Sequence, residues 1–257
     1  MQPETIRISA DGAIGSLELN RPEKLNPLSV QMIDEITEAA RWFDTRSQVR
    51  AVIVSGAGRA FSAGADLESF LNEETNRSFA DGGRLMADAI EEMRAVTVAA
   101  IHGACIGGGV VLAAACDLRV AADTTVFQIP EVDLGIPLAW GGIPRLVREI
   151  GPAAAKELVM TCRRFSAVEA RDLGLVNRVV EEEKVLSEAT ALAAEIARRP
   201  RNAVSATKLG VNSVTSQMVG TGRSWADADT LLAAFTDPEG VEARRRYLDQ
   251  HRQRSTE

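Results

Sequence analysis

The feature that most limits how this chain can fold is a corner it uses twice. Ala51-Val52-Ile53-Val54 is a short apolar run that empties into the glycine-bearing loop SGAGRAFSAGAD at 55–66. The run VTVAAI at 96–101 empties into a second such loop, where Gly107-Gly108-Gly109 opens the wholly apolar stretch VVLAAAC. Short apolar runs bounded by glycine read as buried strands, and strands that alternate with helical segments read as an α/β fold. The rest of the first half agrees. Two strands are expected at 5–9 and 14–19, joined by the turn Ala10-Asp11-Gly12. Ser29 is placed to cap a helix whose Met32, Ile33, Ile36, Ala40 and Phe43 keep a helical period. A helix near 76–94, a strand near 118–121 and a long loop at 127–144 follow. Beyond about 145 the pattern turns helical, with segments expected at 152–161, 166–172, 185–198, 203–218 and 239–251. Leu186, Ala189, Leu192, Ala193 and Ile196 make one apolar face. The chain divides accordingly into a core domain, 1–195, and a helical C-terminal region, 196–257.

Bulk properties narrow the partners. A net charge of -7 and a pI near 5.1 argue against a nucleic-acid or anionic-membrane surface. No apolar run reaches the roughly 20 residues of a membrane span, and MQPETIRISADG lacks the pattern of a signal peptide. Cys105, Cys116 and Cys162 form no CxxC pair and read as buried reduced thiols of a cytoplasmic protein. With two histidines in the chain, a His-rich metal site is not expected, and no cofactor is called for. His102 reads as a structural hydrogen-bonding residue.

Both glycine loops offer the same chemistry. A backbone amide is a strong donor needing no side chain, and small neighbours let a ligand oxygen come close. The loop SAGAD at 62–66 offers the amide of Ala65; the GGG run offers that of Gly108, at a helix start where the dipole favours negative charge. Two such donors on one oxygen form an oxyanion hole, each worth about 3 kcal/mol of barrier. The GGG run fails the GxGxxG and GxxxxGK[ST] spacings, so a nucleotide-phosphate loop is not supported.

Four pieces then fall in one order: NRPEKLNPL at 20–28, GRAFSAGADL at 58–67, AAIHGACIGGGVVLAAACDLRVAA at 99–122 and PEVDLGIP at 130–137. Together with GGIPRLVREIG at 141–151 and RFSAVEARDLGLVNRVV at 164–180, they make the chain resemble the enoyl-CoA hydratase/isomerase (crotonase) superfamily over roughly residues 5 to 215. The resemblance implies a crotonase-like spiral of strand-strand-helix repeats, with a helical C-terminal trimerisation region and a homotrimer or a hexamer built as a dimer of trimers. It also implies an acyl-CoA thioester as substrate, coenzyme A entering as part of that substrate. The amides of Ala65 and Gly108 would hold the thioester oxygen. Ala63, Asp66 and Leu67 would follow the bend of the CoA chain, and Lys24, with Arg21, lies in a stretch that lines the CoA entrance. Lys208 is a further basic residue with either a phosphate-binding or a surface role.

Hydratases of this superfamily use two glutamates. The position of the first is Val111 here, and that of the second is Glu131. A lone carboxylate suits the shift of a 3-enoyl-CoA to a 2-enoyl-CoA, with Glu131 moving one proton from the alpha to the gamma carbon. Dienoyl-CoA isomerases would add acids at Val111 and Ala139. Enoyl-CoA hydration, hydroxycinnamoyl-CoA hydratase-lyase chemistry and non-catalytic acyl-CoA binding stay open beside the isomerase reading. Trp140 is either a wall of the acyl pocket or a packing residue.

Overall fold

A computed structural model describes residues 2–66 and 77–255. The main sheet has six strands in the order β1 (Ile6–Asp11), β2 (Ile14–Leu19), β3 (Ala51–Gly56), β4 (Val96–Ile101), β6 (Leu118–Ala122) and β9 (Arg178–Val180). β1 and β2 form an antiparallel hairpin, and every later pairing across this sheet is parallel. β3 and β4 are buried at every position, which is why their sequences run apolar without alternation. β5 (Ala104–Ile106), β7 (Val126–Gln128) and β8 (Phe165–Ser166) form a second, small sheet.

Helices cover the main sheet on both sides. Ser29 caps α1 (Val30–Asp44), its Oγ accepting the Met32 N–H at 3.3 Å. The α1 face carrying Met32, Ile33, Ile36 and Phe43 is buried, and the Phe43 ring lies so close over Gly15 that a Cβ there would sit 2.5 Å from Cε1. α2 (Arg77–Glu92) and α3 (Gly108–Ala115) complete that layer, and α3 is buried all round. α6 (Val185–Ala197) packs on the other face, where Val185, Ala189, Leu192 and Ala193 meet Ala51, Ile53, Val98, Ala100 and Val120. Leu186, expected on that apolar face, is exposed instead. Residue 195, where the sequence was divided, falls in the last turn of this helix.

α4 (Gly142–Thr161) begins ten residues earlier than the sequence suggests. Gly151, at φ 73° and ψ 166°, breaks the helix before Pro152, so the expected helix at 152–161 is its second segment. After α5 (Ala167–Asp172) and α6, the chain ends in α7 (Arg201–Met218), α8 (Asp227–Thr236) and α9 (Pro238–Ser255). α8 was not anticipated. α7 buries none of its residues and exposes Leu209, Val211, Val214 and Met218. All three cysteines are buried and unbridged, and burial pushes the Cys116 thiol up to about 12. Among the described residues, no helix is long and apolar enough to cross a membrane.

Candidate active site

The loops after β3 and β4 leave the carboxyl ends of adjacent parallel strands, the side of such a sheet where ligands bind. They are fixed to each other by backbone bonds. Ser62 N–H donates to the Ala104 carbonyl at 3.0 Å, and Ile106 N–H to the Ser62 carbonyl at 3.0 Å. Leu28 bridges the next residues, its N–H on Gly64 O at 2.7 Å and its carbonyl receiving Asp66 N–H at 3.1 Å. In a parallel bridge of this kind the residue opposite Leu28, Ala65, turns its own N–H the other way. Gly64, at φ +92°, lets the loops close up: a Cβ on it would lie 2.8 Å from Ile106 O and 3.5 Å from Gly108 N. Gly108 starts α3, so its N–H has no acceptor within the helix. Among the described residues, neither the Ala65 nor the Gly108 N–H donates to another protein group. Two free amides on abutting loops are the arrangement an oxyanion hole needs.

The segment NRPEKLNPL supports this loop from beneath. Leu25 and Asn26 both have positive φ, 65° and 54°. That bend lets buried Asn26 donate to the carbonyls of Ala57 and Ala60, at 2.8 and 2.9 Å, while Leu25 O takes the Ala63 N–H. The Arg21 guanidinium pairs with buried Asp66 at 2.7 Å, so the carboxylate of Asp66 is committed inside the loop. Ala63 lines the cavity between the loops, and Leu67 lies outside the described residues. Lys24 stands exposed on a single 3-10 turn and does not line the cavity. Lys208 is half-buried in an ion pair with Asp117 at 2.7 Å and also donates to Ala95 O. His102 Nε2 bonds Gly58 O at 2.8 Å, away from the cavity.

Glu131 projects from the tight turn that follows β7, in which its carbonyl receives the Ile136 N–H at 3.0 Å. Its carboxylate rests on the backbone of Gly107, where a Cβ would lie 2.5 Å from Oε1. Gly107 itself has φ +49°. Oε2 is buried without a hydrogen-bond partner among the described residues. Desolvation dominates, and it pushes the carboxyl up to about 7, only partly offset by the residue's own backbone N–H. A carboxyl poised there can act both as a base and, once protonated, as an acid.

The cavity, of about 70 Å³, joins these parts. Ala65 and Gly108 line it together with Glu131, Val111, Ala139 and Trp140. Val111 and Ala139 are both buried, and Glu131 is the single carboxylate lining it among the described residues. Asp133 is exposed and faces another space. Trp140 has φ +61°, and its indole packs against Gly83 and Gly108: a Cβ on either would clash with the ring, 2.0 Å from Cδ2 and 2.4 Å from Cζ3 respectively. Beneath it, buried Arg145 donates to the carbonyls of Trp140 and Gly141 and pairs with Asp88 and Glu91 at 2.7 and 2.6 Å. Trp140 is therefore a cavity wall and a packing residue at once. Leu231 of α8 and Tyr247 of α9 also line the cavity. No local pattern in the sequence marks Leu231, and Tyr247 stands out only as the chain's sole tyrosine, set in a charged helix. Among the described residues, no cluster of three metal-ligating side chains exists.

Comparison with known proteins agrees with this geometry. The sequence profile of the family described as enoyl-CoA hydratase/isomerase matches residues 9–254. A probable enoyl-CoA hydratase of Mycobacterium bovis is 40% identical over 217 residues, covering 82% of each chain. The peroxisomal Delta(3,5)-Delta(2,4)-dienoyl-CoA isomerase of Arabidopsis thaliana is 40% identical over 220 residues, covering 80% of this chain and 79% of its own. The crystal structure of an enoyl-CoA hydratase/isomerase from Mycobacterium paratuberculosis superposes with a TM-score of 0.87 at 29% identity, over 95% of this chain and 98% of that one. With the spiral α/β fold, the paired amides and the profile match in agreement, the chain belongs to the enoyl-CoA hydratase/isomerase family.

Proposed function

We propose that this protein converts 3-enoyl-CoA thioesters to the conjugated 2-enoyl-CoA with Glu131 as its only proton carrier. One observation carries the reading: Glu131 is the sole carboxylate on the cavity among the described residues, while Val111 and Ala139 stand apolar and buried beside it. Hydration needs a second group to handle water, whereas a 1,3-proton shift needs one group that removes a proton and returns it. The thioester oxygen sits between the Ala65 and Gly108 amides. Glu131 takes a proton from the alpha carbon, and the electron pair moves into the conjugated enolate, whose oxygen gains charge against those two N–H donors. The protonated carboxyl then delivers the same proton to the gamma carbon, leaving the double bond next to the thioester. A carboxyl near pH 7 suits both halves, because neither transfer is steeply uphill. The exposed apolar residues of α7 support assembly of several copies, as a trimer or a dimer of trimers.

The test is a panel of 3-enoyl-, 2-enoyl- and hydroxycinnamoyl-CoA esters, with products identified by mass and chromatography. The expected result is isomerisation of the 3-enoyl ester, lowered by about 10³-fold in Glu131→Gln with ester binding retained. Fast hydration of the 2-enoyl ester, cleavage of the hydroxycinnamoyl ester, or binding without any turnover would each overturn it.

A further inference from the structure

The catalytic cavity does not end in solid core. The ring of Tyr247 lines it and, on another side, lines a polar space of about 620 Å³ bounded by Gln128, Asp133, Arg164, Arg246 and Gln250. The catalytic cavity is far smaller, and its walls include the apolar Leu138, Trp140 and Leu231. A single half-buried aromatic residue thus lines both an apolar chamber and a polar one.

The helix that carries it is anchored. α9 packs on the turn that carries Glu131, where Gly135, at φ +68°, meets Gly240 backbone to backbone with no room for a side chain. Asp237 Oδ2 accepts the Gly240 N–H at 2.8 Å, and Arg244 reaches back to the Phe235 carbonyl at 3.1 Å. Burial and the nearby carboxylates of Glu131 and Asp133 push the phenol up to about 12, so it is uncharged at neutral pH. Its ring therefore presents a flat apolar face to whatever fills the chamber.

Given that the substrate is an acyl-CoA thioester, as read above, we propose that Tyr247 is the specificity-determining wall of the acyl pocket: it closes the chamber against the polar space beyond, so the protein takes short acyl groups and refuses long ones. A chain that fills the chamber gains burial with each methylene, about fourfold in affinity apiece. A longer chain meets the ring and gains nothing further.

Saturated esters test this without turnover. Butyryl-, hexanoyl-, octanoyl- and decanoyl-CoA are titrated into the full-length protein by calorimetry. In the wild type, affinity is expected to stop rising by hexanoyl-CoA. In Tyr247→Ala, decanoyl-CoA is expected to gain about tenfold or more relative to butyryl-CoA, because at least two further methylenes leave water. Tyr247→Phe keeps the ring and is expected to retain the wild-type length profile. Tyr247→Leu serves if the alanine variant fails to fold by circular dichroism, with the same direction expected. Identical length profiles in the wild type and the small-side-chain variants would overturn the assignment, as would a shifted profile in Tyr247→Phe. Failure of the wild type to bind any ester would instead overturn the acyl-CoA reading itself.

Discussion

The buried carboxyl of Glu131, the proposed proton carrier, also couples to folding stability, and the link has a definite sign. In the unfolded chain its carboxyl titrates near the ordinary 4.5; in the folded protein burial holds it near 7. Between those values the native state binds more protons than the unfolded state, so stability falls as pH rises through that window and is level above it. The gap corresponds to about 3 kcal/mol at ~1.36 kcal/mol per pH unit. Glu131→Gln removes the titration while keeping the shape. The variant's stability relative to wild type should therefore improve by about 3 kcal/mol between pH 4.5 and pH 8. An amide over Gly107 adds a constant offset, so only the pH-dependent part matters. The assay is thermal unfolding of both proteins at one protein concentration across that range, since assembly also shifts the midpoint. For a chain of this size the difference in midpoints should widen by roughly 6–12 °C. Parallel curves for the two proteins would refute the claim that folding desolvates this carboxyl.

Further outcomes follow from other residues. Val111→Glu places a second carboxylate in the cavity and should raise hydration of 2-enoyl-CoA by about 10²-fold, measured as loss of the conjugated thioester. It should also move the acid limb of the kcat/KM profile upward, because the like charge raises Glu131 further. Gly108→Ala drives a methyl into the Trp140 ring and should cut kcat/KM by about 10²- to 10³-fold, and pairing it with Trp140→Leu should recover part of that loss. Lys208→Met leaves the half-buried Asp117 with only its Thr97 partners among the described residues and should cost about 1–2 kcal/mol in urea unfolding with KM for acyl-CoA unchanged. A raised KM with full stability would return Lys208 to the CoA. Val211→Glu with Val214→Glu should shift the sedimentation velocity to that of a monomer where the wild type forms the proposed assembly, since both side chains are more than half exposed on α7.

The site was legible where chemistry is carried by backbone and by short runs. The apolar strands β3 and β4, the Ser29 cap and the two glycine loops announce themselves locally, and so do the amides of Ala65 and Gly108. The small sheet did not, because strands of two or three residues are shorter than any period. The first half of α4 was missed because Gly151-Pro152 reads as a helix start, which it is, but of a second segment. Trp140 could not be assigned from sequence, since its place depends on a positive φ and on Gly83, far away along the chain. Tyr247 was hidden for another reason: its helix is charged, and only the fold brings it back over the Glu131 turn. The basic residues misled in the usual direction. Arg21 spends its charge on the buried Asp66 and Lys208 on the half-buried Asp117, pairings that composition does not reveal.

The contact between Glu131 and Gly107 has a wider consequence. The Glu131 carboxylate leans on the residue just before Gly108, so in the proposed mechanism the distance from proton carrier to enolate site is set by the contact of two loops and does not depend on how the acyl group is held. Val111 stands one turn further along α3, and Ala139 on a separate loop; either can change without disturbing that spacing. On the proposed reading, activation is built into the backbone, and the choice of reaction rests on two interchangeable side chains. A designer seeking new thioester chemistry in this chain has two positions to vary and a fixed frame in which to vary them.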